Sequence, residues 1–411
     1  MDRMLAAIDV GTTKICTVVA EVGEGGQLHV AGMGLVPAQG MRKGMVVNVE
    51  EAARAIALSV DQAERSSGLP IDQAFVGVTG EHIASINGRG FVAITHSDRV
   101  ITPEDVRRAL EATQAIAVPH NRKILHVIPR GYILDGQDGI REPVGMQAYR
   151  LEAEAHIVTA AIASLQNLVR CVERADIEIQ DLVLEPLASA EAILTTSEQE
   201  MGVVLADIGG GTTDVGVFTE GSIWHSSVLP VGGNLLTNDV AMVLRTPFTA
   251  AETLKIQHGH VFLNGSGQDS TIELAAFGDE PPQAISRNFL SEVLQARAVE
   301  LLQLIRQEIQ RTGQESLLPA GAVLCGGSAQ LPGLKELARV VLGMPVRLGH
   351  PRGLDGLIDQ LDSPAFATAA GLLLWGQRHG SSLNQAARRN GRHPDPVSRF
   401  LNWVRQAFFP R

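Results

Sequence analysis

The sequence predicts an α/β protein of two lobes, built on a duplicated unit that clamps a nucleotide, with an amphipathic helix at its C-terminal end. Three observations lead there: length and composition, a glycine-threonine hairpin that occurs once in each half, and terminal apolar residues at helical spacing. At 411 residues, 45% hydrophobic and 19% charged, the chain can bury a large core and fill two domains or one bilobed body. That composition excludes a disordered chain.

The three cysteines, Cys16, Cys171 and Cys325, lie far apart, lack metal-ligand spacing and are too few for a disulfide framework. They are expected to be buried and reduced, which implies the cytoplasm. Met1-Asp2-Arg3-Met4 runs straight into an apolar strand, without the basic region, long apolar core and cleavage site of a secretory signal. No apolar run approaches transmembrane length. The net charge of -11 is unevenly spread: residues 388–411 hold six arginines against one acid, Asp395, a net of +5, which leaves -16 on residues 1–387. An acidic body argues against a nucleic-acid-binding core, and a basic tail seeks an anionic surface.

The duplicated element begins as Leu5-Ala-Ala-Ile-Asp-Val-Gly-Thr-Thr-Lys14, a short buried strand broken at glycine, with Ile15-Cys-Thr-Val-Val-Ala20 as a β-rich return strand. It recurs as Val203-Val-Leu-Ala-Asp-Ile-Gly-Gly-Gly-Thr-Thr-Asp214, followed by Val215-Gly-Val-Phe218. Glycines let backbone N–H groups converge on a phosphate, threonine hydroxyls add donors, and a strand-terminal aspartate can hold Mg²⁺ through water. The first loop offers Gly11, Thr12, Thr13 and Lys14, the second Gly209, Gly210, Gly211, Thr212 and Thr213, with Asp9 and Asp207 on the metal side. One such loop alone reads as a hairpin turn. Two facing each other clamp one nucleotide. The chain contains no Gly-Lys-Ser/Thr phosphate loop, and no Gly-x-Gly-x-x-Gly follows a strand.

These loops resemble the first and second phosphate motifs of the ATPase superfamily of actins, sugar kinases and heat-shock chaperones, and further segments resemble it in the same order. Val323-Leu-Cys-Gly-Gly-Ser-Ala329 is similar to the adenosine motif, where Gly326, Gly327 and Ser328 would let the backbone approach base and ribose. Glu185-Pro-Leu-Ala-Ser-Ala190 and Ala367-Thr-Ala-Ala-Gly371 resemble the two connecting helices, whose small residues allow a close crossing at the hinge. Gly232-Gly233-Asn234 resembles a second glycine pair near the terminal phosphates. The resemblance implies an actin-like bilobed fold with ATP and Mg²⁺ as cofactors. It also implies contacts from Glu252 and Lys255 to ribose and base; by their i, i+3 spacing alone they are equally a surface ion pair. Glu185 stands where chaperone-like members carry a water-orienting glutamate, yet ahead of a proline it is equally a helix-start acid favoured by the dipole. Hydrolysis asks little of the protein beyond a metal and a positioned water, so ATP binding is expected with at most slow turnover.

Between the halves of the first lobe, residues 85–161 read as a compact insert. Phe91-Val-Ala-Ile-Thr95 is strand-like, and Thr102-Pro-Glu-Asp opens a helix to about Ile116 with an N-cap, proline at the first position and acids in the first turn. Ile124-Leu-His-Val-Ile128, Gly131-Tyr-Ile-Leu134 and Leu151-Glu-Ala-Glu-Ala-His-Ile-Val158 follow as strands, in which His126 and His156 read as strand residues without a metal constellation. Lys123-Ile-Leu-His-Val-Ile-Pro129 and Pro143-Val-Gly145 resemble the inserted subdomain, called 1C, of the FtsA family of bacterial division proteins. That resemblance covers essentially the whole chain, including Gly40-Met-Arg-Lys-Gly44 and Ile256-Gln-His-Gly259.

The family resemblance implies subdomain 1A at 1–84 and 162–200, 1C at 85–161, 2A at 201–230 and 318–376, and 2B at 231–317. In 2B a helix from about Leu290 to Arg311 would bury Leu290, Leu294, Leu301 and Ile305 on one stripe and leave Arg287, Arg297 and Arg306 for the surface. In the family this subdomain grips the C-terminal peptide of the tubulin homologue FtsZ. Arg287 and Arg297 would suit an acidic peptide, or are solvated helix arginines.

Residues 377–395 read as a flexible linker, rich in Ser, Asn, Arg, Gly and Pro from Gly380 onward. Within 396–411, Val397, Phe400, Leu401, Val404 and Phe408 fall on one helical face. Trp403 flanks that face, and Arg399 and Arg405 can reach lipid phosphates. The alternative is a helix packed on the protein's own surface or a partner's. Each large apolar side chain contributes at most about 1.5–3 kcal/mol and each arginine about 1 kcal/mol. Ordering the helix costs roughly 1–2 kcal/mol per residue, so a single tail binds modestly and a polymer binds by avidity. The expectation is a protein that self-associates on anionic lipids at the cytoplasmic face of the inner membrane. By the resemblance it holds FtsZ at the division site and recruits later division proteins through 1C. A pilus-assembly ATPase and a small-molecule kinase of the same fold are the alternatives.

Overall fold

The computed structural model describes residues 3–115, 118–262, 270–274 and 283–390. The duplication is written in the sheet topology. In the first lobe Arg3–Val10, Lys14–Val22 and Leu28–Pro37 form an antiparallel meander, and Gln73–Val78 and Glu178–Leu184 add in parallel beyond the first strand. In the second lobe Val203–Ile208, Thr213–Thr219 and Ser222–Leu229 form the same meander, and Ala322–Cys325 and Val346–Leu348 add in parallel. Leu354–Gly356 joins the outer edge of the first sheet. The central strands are buried on both faces because each sheet is covered on both sides. Thr213–Thr219, for example, is buried at every position.

Two helices, Glu185–Ile193 and Ala367–Asn390, join the lobes. They cross where Gly371 lies against Ala188 O so closely that a methyl group at Gly371 would overlap it. The small residues read as crossing helices in the sequence do cross, and for that steric reason. All three cysteines are buried and free.

The insert has its own core. Ile83–Ala93, Arg150–Ala161, Arg122–Leu134 and Gln137–Ile140 form a four-stranded antiparallel sheet in that order, and the helix Pro103–Thr113 packs on one face. Thr102 and Asp105 complete a capping box at the start of that helix. Removing the cap hydroxyl by Thr102→Ala is expected to cost about 1 kcal/mol, read as a shift of the insert's urea midpoint. The two short strands expected at 124–128 and 131–134 are one strand, Arg122–Leu134, because a bulge at Arg130, opposite Glu154/Ala155, carries the chain from Pro129 to Gly131 without breaking the ladder.

In the second lobe the helices Gly233–Leu244, Phe248–His258 and Arg287–Arg311 form a satellite layer with the short hairpin of Thr271–Leu274 and Gln283–Ser286. Leu290, Leu294, Leu301 and Ile305 are all buried, as their spacing predicts. Arg297, expected free at the surface, is committed: it grips Asp239 through Nε at 2.6 Å and Nη2 at 3.1 Å, and Glu300 at 2.5 Å. Arg287 donates through Nε to His258 O at 3.3 Å.

The linker expectation for 377–395 needs correction. The helix Ala367–Asn390 continues through its first part, where Leu383, Gln385, Ala386, Ala387, Arg388 and Arg389 are good helix formers. The amphipathic segment 396–411, with Val397, Arg399, Phe400, Leu401, Trp403, Val404, Arg405 and Phe408, lies outside the described residues. No helix among the described residues is long and apolar enough to cross a membrane.

Candidate functional site

The two hairpin tips are built alike. Gly11 N donates to Lys14 O at 3.1 Å and Gly209 N to Thr212 O at 2.9 Å, each closing a four-residue loop. Strand register pairs Asp9 with Cys16 and Asp207 with Asp214. The structural equivalence is therefore Gly11 with Gly209 and Lys14 with Thr212, so the two Thr-Thr pairs do not correspond. Thr12 and Thr13 sit in the first loop, whereas Thr213 opens a strand and donates through Oγ1 to Val231 O at 2.8 Å.

The tips face each other across the cleft. Thr13 Oγ1 lies where a side chain at Gly210 would point, and a Cβ at Gly211 would come within 2.6 Å of Thr12 Oγ1. Bare glycine is required because the first loop occupies the space. Gly232 serves the same end, since a Cβ there would meet Gly209 O and Gly210 O at 2.7 and 2.8 Å. Gly211, Thr213 and Gly232, expected among the binding residues, thus shape the loops and do not line the cavity. The start of the helix Gly233–Leu244 holds the second loop in place: Gly233 N donates to Gly209 O at 2.9 Å and Asn234 N to Gly210 O at 2.8 Å.

A cavity of about 510 Å³ opens between the tips, within the range of small-ligand sites. Its wall gathers Asp9, Gly11, Thr12, Thr13, Lys14, Glu185, Asp207, Gly209, Gly210, Thr212, Gly233, Asn234, Glu252, Lys255, Gly326, Gly327 and Ser328 from six separate stretches of chain. Ser328 Oγ donates to Gly209 O at 2.9 Å, tying the adenosine-like turn to the second loop. Gly326 has φ 86°, and a Cβ there would overlap Ile208 O and Asp207 Oδ1, so no side chain fits. Glu252 and Lys255 are an ion pair at 2.7 Å, and Lys255 Nζ also donates to Thr237 Oγ1 at 2.8 Å and Gly233 O at 3.2 Å. They form an ion pair and they line the cavity. Lys14 crosses to the second lobe, donating to Ala365 O, with its ammonium 3.9 Å from the Phe366 ring centroid.

The cavity wall also includes the apolar side chains of Leu236, Ile256, Leu331 and Pro332, against which a flat ring could lie. These residues, with Thr79, Asp214 and Thr368, are site members the sequence reading missed. Asp214 left a trace: it flanks the glycine run opposite Asp207 in the hairpin, as a matched pair of acids. Thr79 and Thr368 left none, since their place depends on how strand and helix ends converge.

Four of the five carboxylates that line the cavity, Asp9, Glu185, Asp207 and Asp214, act on one another. Ser189 Oγ and Thr368 Oγ1 donate to Asp207 Oδ2 at 2.8 and 3.1 Å, and Thr79 Oγ1 donates to Asp214 Oδ1 at 2.6 Å. Burial pushes Asp9 up to about 6, with Lys14 opposing and Asp207 adding. Burial pushes Asp214 up to about 8, against the Thr79 hydroxyl and with Asp207 adding. Burial, then Asp214, Asp9 and Asp207, holds Glu185 well above the usual carboxylate range, and its buried Oε1 has no hydrogen-bond partner. Crowded acids with an unpartnered oxygen fit a nearby cation. Among the described residues no group of three or more His, Cys, Asp or Glu is arranged to hold a metal directly.

Carboxylates that bind protons more tightly folded than unfolded stabilise the fold at low pH, and that contribution is lost as pH rises through the folded values. Without nucleotide, the urea midpoint is therefore expected to fall between about pH 6 and pH 8. Asp214→Asn, which keeps an acceptor for Thr79 but cannot ionise, should flatten that slope. Parallel pH profiles for the two proteins would contradict the assignment.

Comparison with known proteins bears on this architecture. The profile of the family described as Cell division protein FtsA matches residues 204–371, and that of the SHS2 domain inserted in FTSA matches residues 80–159. The Cell division protein FtsA of Pseudomonas aeruginosa is 43% identical over 412 residues, covering 99% of this chain and 98% of that one. Among solved structures, the PilM-PilN type IV pilus biogenesis complex superposes with a TM-score of 0.67 at 17% identity, covering 91% of this chain and 98% of that one. MreB 5 of Spiroplasma citri bound to AMPPNP superposes at 0.58 and 13% identity, covering 93% and 99%. At such identities the two structures show the fold alone, which is actin-like.

Proposed function

The chain belongs to the FtsA family of cell-division proteins, and on that premise we propose that it is an ATP-binding adaptor that assembles on the inner membrane and holds FtsZ there. The observation that carries the nucleotide-binding part is the meeting of two equivalent hairpin tips across one cavity. Backbone amides of both loops with Thr12, Thr13 and Lys14 would hold the phosphates, and Gly326, Gly327, Ile256 and Leu331 the adenosine. Asp9, Asp207 and Asp214 would hold a hydrated Mg²⁺, which neutralises phosphate charge when bound.

We take the site to be regulatory more than catalytic. Burial and three neighbouring acids hold Glu185 well above the usual carboxylate range, and from its place in the cavity wall it can orient a water. Nucleotide would then chiefly set the angle between lobes, and with it self-association. Since Arg297 is tied to Asp239 and Glu300, an acidic FtsZ peptide docking on the satellite layer would meet Arg287 more readily than Arg297.

The membrane part rests on residues 396–411, whose apolar face and arginines fit an anionic leaflet. Co-sedimentation with anionic vesicles tests it. The full chain with ATP should pellet with vesicles, more strongly when assembled than as monomer. A chain ending at residue 395 should stay in the supernatant while binding ATP unchanged. Vesicle binding that survives the truncation, or a full chain that binds no nucleotide, would overturn the proposal.

A further inference from the structure

The insert is rooted in one lobe and fastened to the other. Its strands leave the first lobe at His82 and rejoin it at Ile162, and Arg122 staples that root, with Nη2 donating to His82 O and Thr159 O, both at 2.8 Å. The outer face of its sheet lies against Ser222–Leu229, the edge strand of the second lobe. Ser85 Oγ donates to Ser226 O at 2.7 Å, Ser222 Oγ donates to Pro129 O at 2.9 Å, and the Arg130 guanidinium lies 3.3 Å from the Trp224 ring centroid.

His156 closes a directed chain between the two bodies. Asn87 Nδ2 donates to Trp224 O at 3.1 Å, which leaves Asn87 Oδ1 to accept, at 2.8 Å, from His156 Nδ1. Nε2 of the neutral ring then accepts from Ser226 Oγ at 2.9 Å. Burial keeps the ring neutral, pushing His156 down to about 3. Every group in the chain is satisfied, so it is rigid while made. The insert's own core and the outer core of the second lobe are separate clusters, while Ile223 of the edge strand joins Val158 and Ala160 of the insert in the cluster that fills the first lobe. The hydrogen-bonded chain also lies close to the cavity: in the ladder, Ser226 pairs with Gly216 and Val228 with Asp214.

We propose that these contacts form a clasp, so that when nucleotide changes the angle between the lobes the insert travels with the second lobe, not with the lobe it is rooted in. Nucleotide state would thereby set the direction in which the insert's free face is presented. The clasp's role rests on the reading of the cavity as a nucleotide site.

Spin labels test this in the full chain, at Arg54→Cys in the first lobe, Glu104→Cys in the insert and Val340→Cys in the second lobe, all exposed. Distances are taken by pulsed electron resonance with and without AMPPNP, and binding is checked separately by titration. The 54–340 and 54–104 distances should shift together on binding while the 104–340 distance stays fixed. In S85A/N87A, which removes two of the insert's donors, the 104–340 distance should broaden or shift with nucleotide. A 104–340 distance that shifts in the unaltered chain, lobes that do not move at saturation, or a variant that keeps the fixed distance would each overturn the clasp and leave the contacts as a mere cover for the edge strand. Absence of binding in the titration would instead sink the nucleotide reading, and the clasp's role with it.

Discussion

Gly210→Val is expected to weaken binding of an ATP analogue by about a hundredfold or more, while both lobes stay folded. The backbone at Gly210 has no positive φ, so conformation is not the obstacle. Space is the obstacle, because the Cβ would overlap Thr13 Oγ1 and press Asn234 Oδ1 at 3.4 Å. The two tips must separate, and their donors can no longer converge on the same phosphates. Losing two charge-assisted hydrogen bonds at about 1.5–3 kcal/mol each corresponds to a hundredfold or more in affinity. Titration with a fluorescent analogue measures it, with far-UV circular dichroism as the check on folding. An affinity within threefold of the unaltered protein would mean that the tips do not clamp phosphate together.

The second large effect is structural. Gly371→Ala is expected to destabilise the protein by about 1–3 kcal/mol, measured by urea denaturation. The sign is diagnostic. Helix propensity alone predicts a gain of about 1 kcal/mol, because alanine is the better helix former. Packing predicts the loss, since the new methyl would overlap Ala188 O in the facing helix and a backbone carbonyl has nowhere to retreat. Because this crossing joins the lobes, the substitution should also alter nucleotide affinity from a distance. A stabilised protein would show that the helices separate freely at this point.

Much of the site could be read in the sequence because its residues cluster in short motifs. Asp9 to Lys14, Asp207 to Thr212 and Gly326 to Ser328 are each one strand end and one turn, and local chemistry defines them. The motif could not give the alignment between its two copies. Matching Thr12-Thr13 to Thr212-Thr213 looks natural in the sequence, but the hairpin register offsets them by two residues and buries Thr213. The helix Arg287–Arg311 shows the same division. Its spacing gave the buried stripe correctly, yet Arg297 looked free because Asp239, its partner, is 58 residues away.

By itself, then, the sequence determined the duplicated α/β plan, the phosphate-loop chemistry, the small residues of the crossing helices and the existence of an insert, since each depends on residue type and spacing within one element. Only the tertiary structure decided that Asp214, Thr79 and Thr368 join the cavity, that Gly211 and Gly232 serve packing, and that His156, plain in the sequence, bridges the insert to the opposite lobe. Those roles depend on which distant groups come within hydrogen-bonding or van der Waals distance, and that is set by how sheets and helices pack, not by the residues beside them in the chain.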